Sequence, residues 1–206
     1  TVYVGGGTYT DPVYVLGAKS SNSALRFVAD LNGNATGDSG AVVILGATFR
    51  VAGSNYVEVE DFTFQGGTAY PLIWQNSYDG VATDCTFVGG QRAVLLTDGS
   101  LRLAMCQLSS FQEDAIQVDG EARLTVEDCT ISDALRHGIL VRKDAITLVD
   151  GSTISGSAGD GIQVDVVTGS IGLDAVLSFG FSPRDRFCFP DFWKRHLGLS
   201  LIVASF

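Results

Sequence analysis

The sequence predicts an all-β solenoid, a parallel β-helix of about seven to eight coils, and three observations carry that reading. From Tyr56 to Gly169 the chain repeats about every 22 residues, a period typical of stacked structural units. Two columns keep the period independently. Phe62, Cys85, Cys106, Cys129 and Ser152 step by 23, 21, 23 and 23, while Leu72, Val94, Ile116, Ile139 and Ile162 step by 22, 22, 23 and 23. No stretch holds a 3.6-residue period long enough to cover a sheet with helices, so coiling is the way left to stack strands in parallel.

Taken in order, each unit spells short alternating runs between turn residues. Val2, Tyr3 and Val4 open a first strand that enters the turn Gly5-Gly6-Gly7, which lacks the Lys-Ser/Thr and helix of a phosphate loop. Coil two, about Ala24 to Asn55, is interrupted by the polar stretch 30–40, an exposed insertion that contains the glycosylation triplet Asn34-Ala35-Thr36. Strands then recur at Val57–Phe64, Gly80–Phe87, Leu101–Leu108 and Leu124–Ile131. A second series follows at Pro71–Trp74, Ala93–Leu96, Ala115–Val118, Gly138–Val141 and Gly161–Val164. The repeat ends near Val176, so residues 1–176 form the β-helix domain.

Residues 177–206 read differently. They are aromatic, contain Pro183 and Pro190, and carry Arg184, Arg186, Lys194 and Arg195 against Asp185 and Asp191, a charge of +2 that leaves −12 for the rest of a −10 chain. One reading is a short C-terminal helical cap starting near Pro190, with Phe192, Leu197, Leu201 and Val203 laid on the last coil. The other is a non-repeat tail foreign to the fold.

Bulk composition narrows the function classes. A chain of 206 residues suits one domain with a sizeable core, and no run of 18 apolar residues is present to span a bilayer. A net charge of −10 opposes nucleic acid as a partner. The four cysteines show no Cys-x-x-Cys spacing. Cys85, Cys106 and Cys129 instead stack inward at a rung spacing of about 4.8 Å, slightly long for a relaxed disulfide, and read as small buried hydrophobes. Because residue 1 leads straight into a strand without a polar cap, a larger parent chain is expected, with the missing cap upstream.

Asp61, Asp84 and Asp128 precede Phe-Thr-Phe or Cys-Thr-Phe/Ile, and Gly-Ile-x-Val follows at Gly138 and Gly161. This spelling resembles the right-handed parallel β-helix repeat proteins of the pectate-lyase-like superfamily over about Tyr56 to Gly169. The opening Val2-to-Thr10 segment, which ends its Gly-rich turn in Gly7-Thr8-Tyr9, is similar to the first coil of that family. The resemblance implies a right-handed single-stranded helix and a fragment of an extracellular or cell-surface carbohydrate-active protein. That protein would act on or bind a polysaccharide, with lyase or epimerase chemistry ahead of glycoside hydrolysis. A non-catalytic surface, adhesin or spacer module is the alternative, and whether the chain is an enzyme stays open here.

Strand alternation places candidate residues in columns. One outer ladder runs Ile73, Leu95, Gln117, Leu140, Gln163; the next runs Gln75, Thr97, Asp119, Arg142, Asp165. At the turn entering this strand a third column reads Arg92, Asp114, His137, Asp160. As ordinary cross-strand neighbours such charges contribute roughly 0.2–1 kcal/mol per pair. As a site they supply His137, Arg142 and Asp114 for catalysis and Arg92, Gln117, Asp119 and Gln163 for gripping sugar, with Asp119, Asp160 and Asp165 to hold a Ca2+ that neutralises an acidic polysaccharide. The motifs of polygalacturonases and alginate epimerases are not written here; Arg136-His137-Gly138 is the nearest fragment, so no family catalytic residue carries over. Trp74 falls in the inward column with Leu96, Val118, Val141 and Val164, and is expected in the core.

Overall fold

The computed structural model describes residues 1–18, 23–67, 70–165 and 170–173. One rule builds the fold: every short strand pairs in parallel with its counterpart one coil away. Coil one holds β1 (Val2–Gly5), β2 (Gly7–Tyr9) and β3 (Val13–Leu16); coil two holds β4 (Leu25–Asp30), β5 (Val42–Leu45) and β6 (Phe49–Ala52). Then come β7 (Val57–Glu60), β8 (Phe62–Gln65), β9 (Leu72–Thr83), β10 (Thr86–Val88) and β11 (Val94–Ala104). Next are β12 (Gln107–Phe111), β13 (Ile116–Asp119), β14 (Arg123–Glu127), β15 (Thr130–Ala134) and β16 (Ile139–Arg142). The last are β17 (Ile146–Asp150), β18 (Thr153–Ser155), β19 (Ile162–Asp165) and β20 (Ser170–Leu173), and no helix occurs among the described residues.

Stacking these strands makes a three-faced solenoid. The first face is β1, β4, β7, the second halves of β9 and β11, then β14, β17 and β20. The second is the 7-stranded sheet β2, β5, β8, β10, β12, β15, β18, one strand for each coil. The third is β3, β6, the first halves of β9 and β11, then β13, β16 and β19. In coils three and four the chain turns from the third face to the first without losing its pairing, so β9 and β11 join the two faces into one sheet.

The Leu72 column appears as a registered ladder, whereas in the other column only Phe62 is in a strand and Cys85, Cys106, Cys129 and Ser152 sit at the corner just before the second-face strands. Leu72 faces Val94, Val94 faces Ile116, Ile116 faces Ile139 and Ile139 faces Ile162. Inward residues fill the interior: in the first half Phe27, Phe49, Phe62, Phe64 and Phe87 pack edge to face or stacked, with the Phe64 and Phe87 rings 4.7 Å apart. Trp74 is fully buried with Leu96 and Val118, as its column requires. The apolar periodicity of 2 therefore becomes a core only because coiling turns every inner face toward the same axis. The C-terminal helical cap expected over 177–206 lies outside the described residues.

Corners are where the sequence is most constrained. Among the described residues, seven of the eleven non-glycine residues with positive φ are Asp or Asn, the types whose short polar side chains tolerate the left-handed region. Asp61, Asp84 and Asp128 form one such column between the first and second faces, immediately before Phe62, Cys85 and Cys129. The cysteine column does more than fill space. The Cys106 N–H donates to Cys129 Sγ at 3.3 Å and the Cys129 N–H to Ser152 Oγ at 3.0 Å, so each corner amide finds its acceptor one coil on. The thiols of Cys106 and Cys129 donate in turn to the Ala104 and Glu127 carbonyls, which explains why a serine can take the same place.

The insertion between β4 and β5 is exposed, as expected, yet pinned at its base. The Asp30 carboxylate accepts from the backbone N–H groups of Asn34, Ala35 and Thr36 at 2.7–3.0 Å and from the Thr36 hydroxyl at 2.9 Å. Those bonds hold its proton affinity below the ordinary carboxylate value in spite of the opposing effect of burial.

Two outcomes follow from this packing. Gly80 has an ordinary backbone, but a Cβ there would lie 2.0 Å from Trp74 Cζ2, so Gly80→Ala should destabilise the chain by about 1–3 kcal/mol in urea titration, and a second change of Trp74→Leu should restore part of the loss. For Cys106, a hydrogen bond with Cys129 draws its pKa down, but a second with Cys85 together with burial pushes it up to about 12; the Cys129 thiol is raised as well. Thiols held in the protonated form are poor nucleophiles. Buried in the stack, Cys85, Cys106 and Cys129 should escape a disulfide-exchange reagent in the native chain and react together on unfolding; reaction of any of them in the native state would contradict the buried ladder.

Candidate functional site

The outer surface of the third face, over coils four to six, gathers most of the residues singled out by the ladders. Of the eight described cations, Arg92, Arg136, Arg142 and Lys143 lie here, opposite Glu113, Asp114 and Asp119. Strand pairing fixes their spacing: Gln117 faces Leu95 and Leu140, Thr97 faces Asp119, and Arg142 faces Asp165. The turn column enters from one side, where the Glu113 N–H donates to the Gln91 carbonyl and the Arg136 N–H to the Glu113 carbonyl.

Asp114 was expected to act on substrate, but its side chain is 0% exposed. Its Oδ1 accepts the His137 N–H at 3.2 Å, and its Oδ2 sits 3.8 Å from Arg92 Nε and 3.6 Å from Arg136 Nη1. That Oδ2 has no hydrogen-bond partner among the described residues. Asp114 thus anchors the turn and offsets two cations from below, because two guanidinium groups close over it. Arg92 and Arg136 also share the Glu113 carboxylate.

His137 is half-buried between coils. Its Nδ1 accepts the Asp160 N–H at 3.0 Å, which leaves the ring proton of the neutral form on Nε2, and the Asp160 carboxylate lies 3.9 Å away. Gly159 packs against the ring so closely that a Cβ would come within 2.9 Å of it. With Nδ1 so engaged, that atom is not free to act as a base.

Gln117, expected to grip sugar from an open ladder, is covered instead. Tyr70 reaches across from the turn before β9, and its hydroxyl donates to Gln117 Oε1 at 2.7 Å. The Arg92 guanidinium lies over the same ring, 5.1 Å from its centroid. Burial raises the Tyr70 phenol pKa against the opposing pull of Arg92. The contact of Tyr70 with Gln117, which skips from coil three to coil five, has no signature in the period.

At the other end of the strand Asp119 is the shared anion. Lys143 Nζ stands 2.9 Å from its Oδ1, Arg142 Nη1 3.7 Å from its Oδ2, and the Gly120 N–H donates to its Oδ1. Lys143 itself has φ 57, an uncommon backbone state that turns its side chain back toward Asp119. Arg136, Arg142 and Lys143 remain 52%, 46% and 65% exposed, so they offer donors outward while paired inward. Gln163 donates to Asp165 at 2.8 Å. The three carboxylates proposed for calcium are not brought to one point: Asp119 faces two cations, Asp160 lies against His137, and Asp165 is on β19 with Gln163. Among the described residues no group of three or more His, Cys, Asp or Glu side chains is placed to hold a metal ion.

Glu113, Arg136 and Lys143 were missed by the sequence reading. Glu113 and Arg136 differ by 23 residues, one period, so this pair was legible in the same way as the columns already drawn.

A family model described as a right-handed beta helix region matches residues 47–171. No curated protein matches the chain. Among solved structures, the catalytic domain of a GH87 alpha-1,3-glucanase variant in complex with nigerose aligns with a TM-score of 0.36 and 12% identity, over 83% of this chain and 50% of that one. The chain thus spans half the length of that domain. The A-module of the mannuronan C-5 epimerase AlgE4 from Azotobacter vinelandii aligns with a TM-score of 0.27 and 14% identity, over 90% of this chain and 79% of that module.

The Asp119 environment yields a pH test. Burial alone would raise its pKa, but the Lys143 hydrogen bond and charge, with Arg142, outweigh it and hold the carboxylate below its usual range. A group depressed in the folded state contributes stability above its unfolded pKa, near 3.9, and loses that contribution as pH falls through the folded value. Asp119→Asn should therefore be less stable than the parent at neutral pH, and the gap should close as pH drops below about 4. Equal stability of the two chains at pH 7, measured by chemical denaturation, would contradict the ion-pair geometry.

Proposed function

The chain belongs to the right-handed β-helix family, with the match covering residues 47–171, and from that premise we propose that it is a polysaccharide-binding segment of a carbohydrate-active protein, using the third face over coils four to six. One observation carries the reading. In a chain of net charge −10, half of the described cations collect on this one face, and three of them keep exposed donors while their partners are held beneath. Their charge is offset by Glu113, Asp114 and Asp119, so what the band offers an acidic polysaccharide is a set of exposed, positioned donors and not a net positive field. Arg136 at one end of the strand and Arg142 with Lys143 at the other can take carboxylates of a chain laid on the face, and the guanidinium fork suits a carboxylate in two-point contact.

Binding is placed ahead of turnover. A lyase or epimerase acting here would need a base, and His137 would have to give up its bond from the Asp160 N–H to accept a proton at Nδ1. Asp114 lies beneath Arg92 and Arg136, away from any polymer. The second reading, a non-catalytic spacer or surface module, is favoured by the closure of the ion pairs: each of the four cations already has a carboxylate within 4 Å. Secretion or display at a cell surface accords with either reading.

Affinity electrophoresis through polygalacturonate and alginate separates the two. Retardation of the parent chain is expected, falling steeply with added salt. Loss of about tenfold in affinity is expected for Arg142→Ala combined with Lys143→Asn, the asparagine keeping the left-handed backbone available. Migration unaffected by either polymer would leave the spacer reading. Appearance of unsaturated sugar products would restore lyase chemistry.

A further inference from the structure

A cleft beside the insertion loop has no place in that reading. It holds about 370 Å³ between the outer surface of the first face and the insertion loop, and is lined by Tyr3, Val28, Asn32, Asn34 and Asp61 among others. Pairing sets Tyr3 beside Val28 and Val28 beside Glu60, so the cleft spans coils one to three. Its volume falls in the range of small-molecule sites, where a few convergent polar groups fix orientation against an apolar wall.

We propose that this cleft binds a neutral sugar residue. Tyr3 is 54% exposed on β1, which is paired along its length with β4, and offers a ring face for the C–H side of a pyranose. The amides of Asn32 and Asn34 and the carboxylate of Asp61 make no side-chain hydrogen bond among the described residues, so donors and acceptors stand ready for sugar hydroxyls. The wall that carries the amides is held in place beforehand by Asp30, whose carboxylate ties down three backbone N–H groups, and by the Asn32–Ser39 bridge. A preset loop loses little entropy when ligand binds. Asp61 keeps a left-handed backbone with φ 65, which aims its carboxylate from the corner of coil three.

Charge selects the class of ligand. Arg26 is shared between Glu58 at 2.7 Å and Glu60 at 2.5 Å, and no cation pairs with Asp61 among the described residues. An oligouronate would meet an uncompensated carboxylate there. A bare divalent ion wants six to eight oxygens, and Asp30, the other carboxylate at the wall, is occupied by its own loop. A neutral polyol satisfies Asp61 with hydroxyl donors at no such penalty.

Titration calorimetry of the full chain with cello-, laminari-, manno- and xylo-oligosaccharides, beside oligouronates, tests the proposal. Saturable binding of at least one neutral series is expected, weakened about tenfold by Tyr3→Ala and by Asp61→Asn, a change that keeps the left-handed corner. The same binding should be unchanged in Arg142→Ala/Lys143→Asn, which tests the other face alone. Binding of none of the neutral sugars, equal affinity for uronates, or affinity that survives both Tyr3→Ala and Asp61→Asn overturns it. Loss in the Arg142 and Lys143 variant would overturn it too, by moving the sugar to the third face.

Discussion

Parallel pairing between successive coils is the constraint on which everything else rests. Each strand except β9 and β11 is three to six residues, too short to be stable alone, and it gains its hydrogen bonds only from a neighbour one period away. A fixed period follows, because a coil one residue out of step would turn every inward side chain of its strands to solvent. The corners must then repeat as well as the strands. Left-handed Asp and Asn residues, with corner amides handed to a thiol or hydroxyl on the next coil, are how this chain turns at the same place each time.

The candidate faces inherit their geometry from that constraint. Arg142, Asp119 and Thr97 share a ladder because the backbone places them there, and Asp114 is driven under Arg92 and Arg136 because the turn column closes as it stacks. Burying an acid beneath two guanidinium groups is favourable only as a set, since removing either cation leaves an unpaired charge in the interior. The exposed ends of Arg136, Arg142 and Lys143 are thereby held at defined positions instead of sweeping freely over the surface. The cleft near Tyr3 depends on a different device, an insertion that departs from the period but is locked to it through Asp30 at the end of β4.

The fold was legible almost in full, and the reason is physical: period and alternation are one-dimensional signals that survive in a sequence. Both columns, the inward Trp74 and the exposed insertion were read from spacing. The side-chain pairings were half legible. Arg142 beside Asp119 and Arg92 beside Asp114 came from the columns, but the columns carry no depth, so the burial of Asp114 was not foreseen. Tyr70 over Gln117 and Lys143 on Asp119 were not read at all, because the first crosses two coils and the second depends on a backbone state uncommon for lysine.

In a solenoid whose coils touch only their neighbours, stability is nearly a sum of local terms, and opening can begin at any coil and travel. Tyr70 breaks that independence. Rooted before β9 in coil three, it clasps Arg92 in coil four and Gln117 in coil five. The three coils are laced by one side chain, so a fluctuation that parts any pair of them must also release the third. The middle of the molecule is thereby made a cooperative block within an otherwise sequential stack, and the face that carries the paired cations is built on that block.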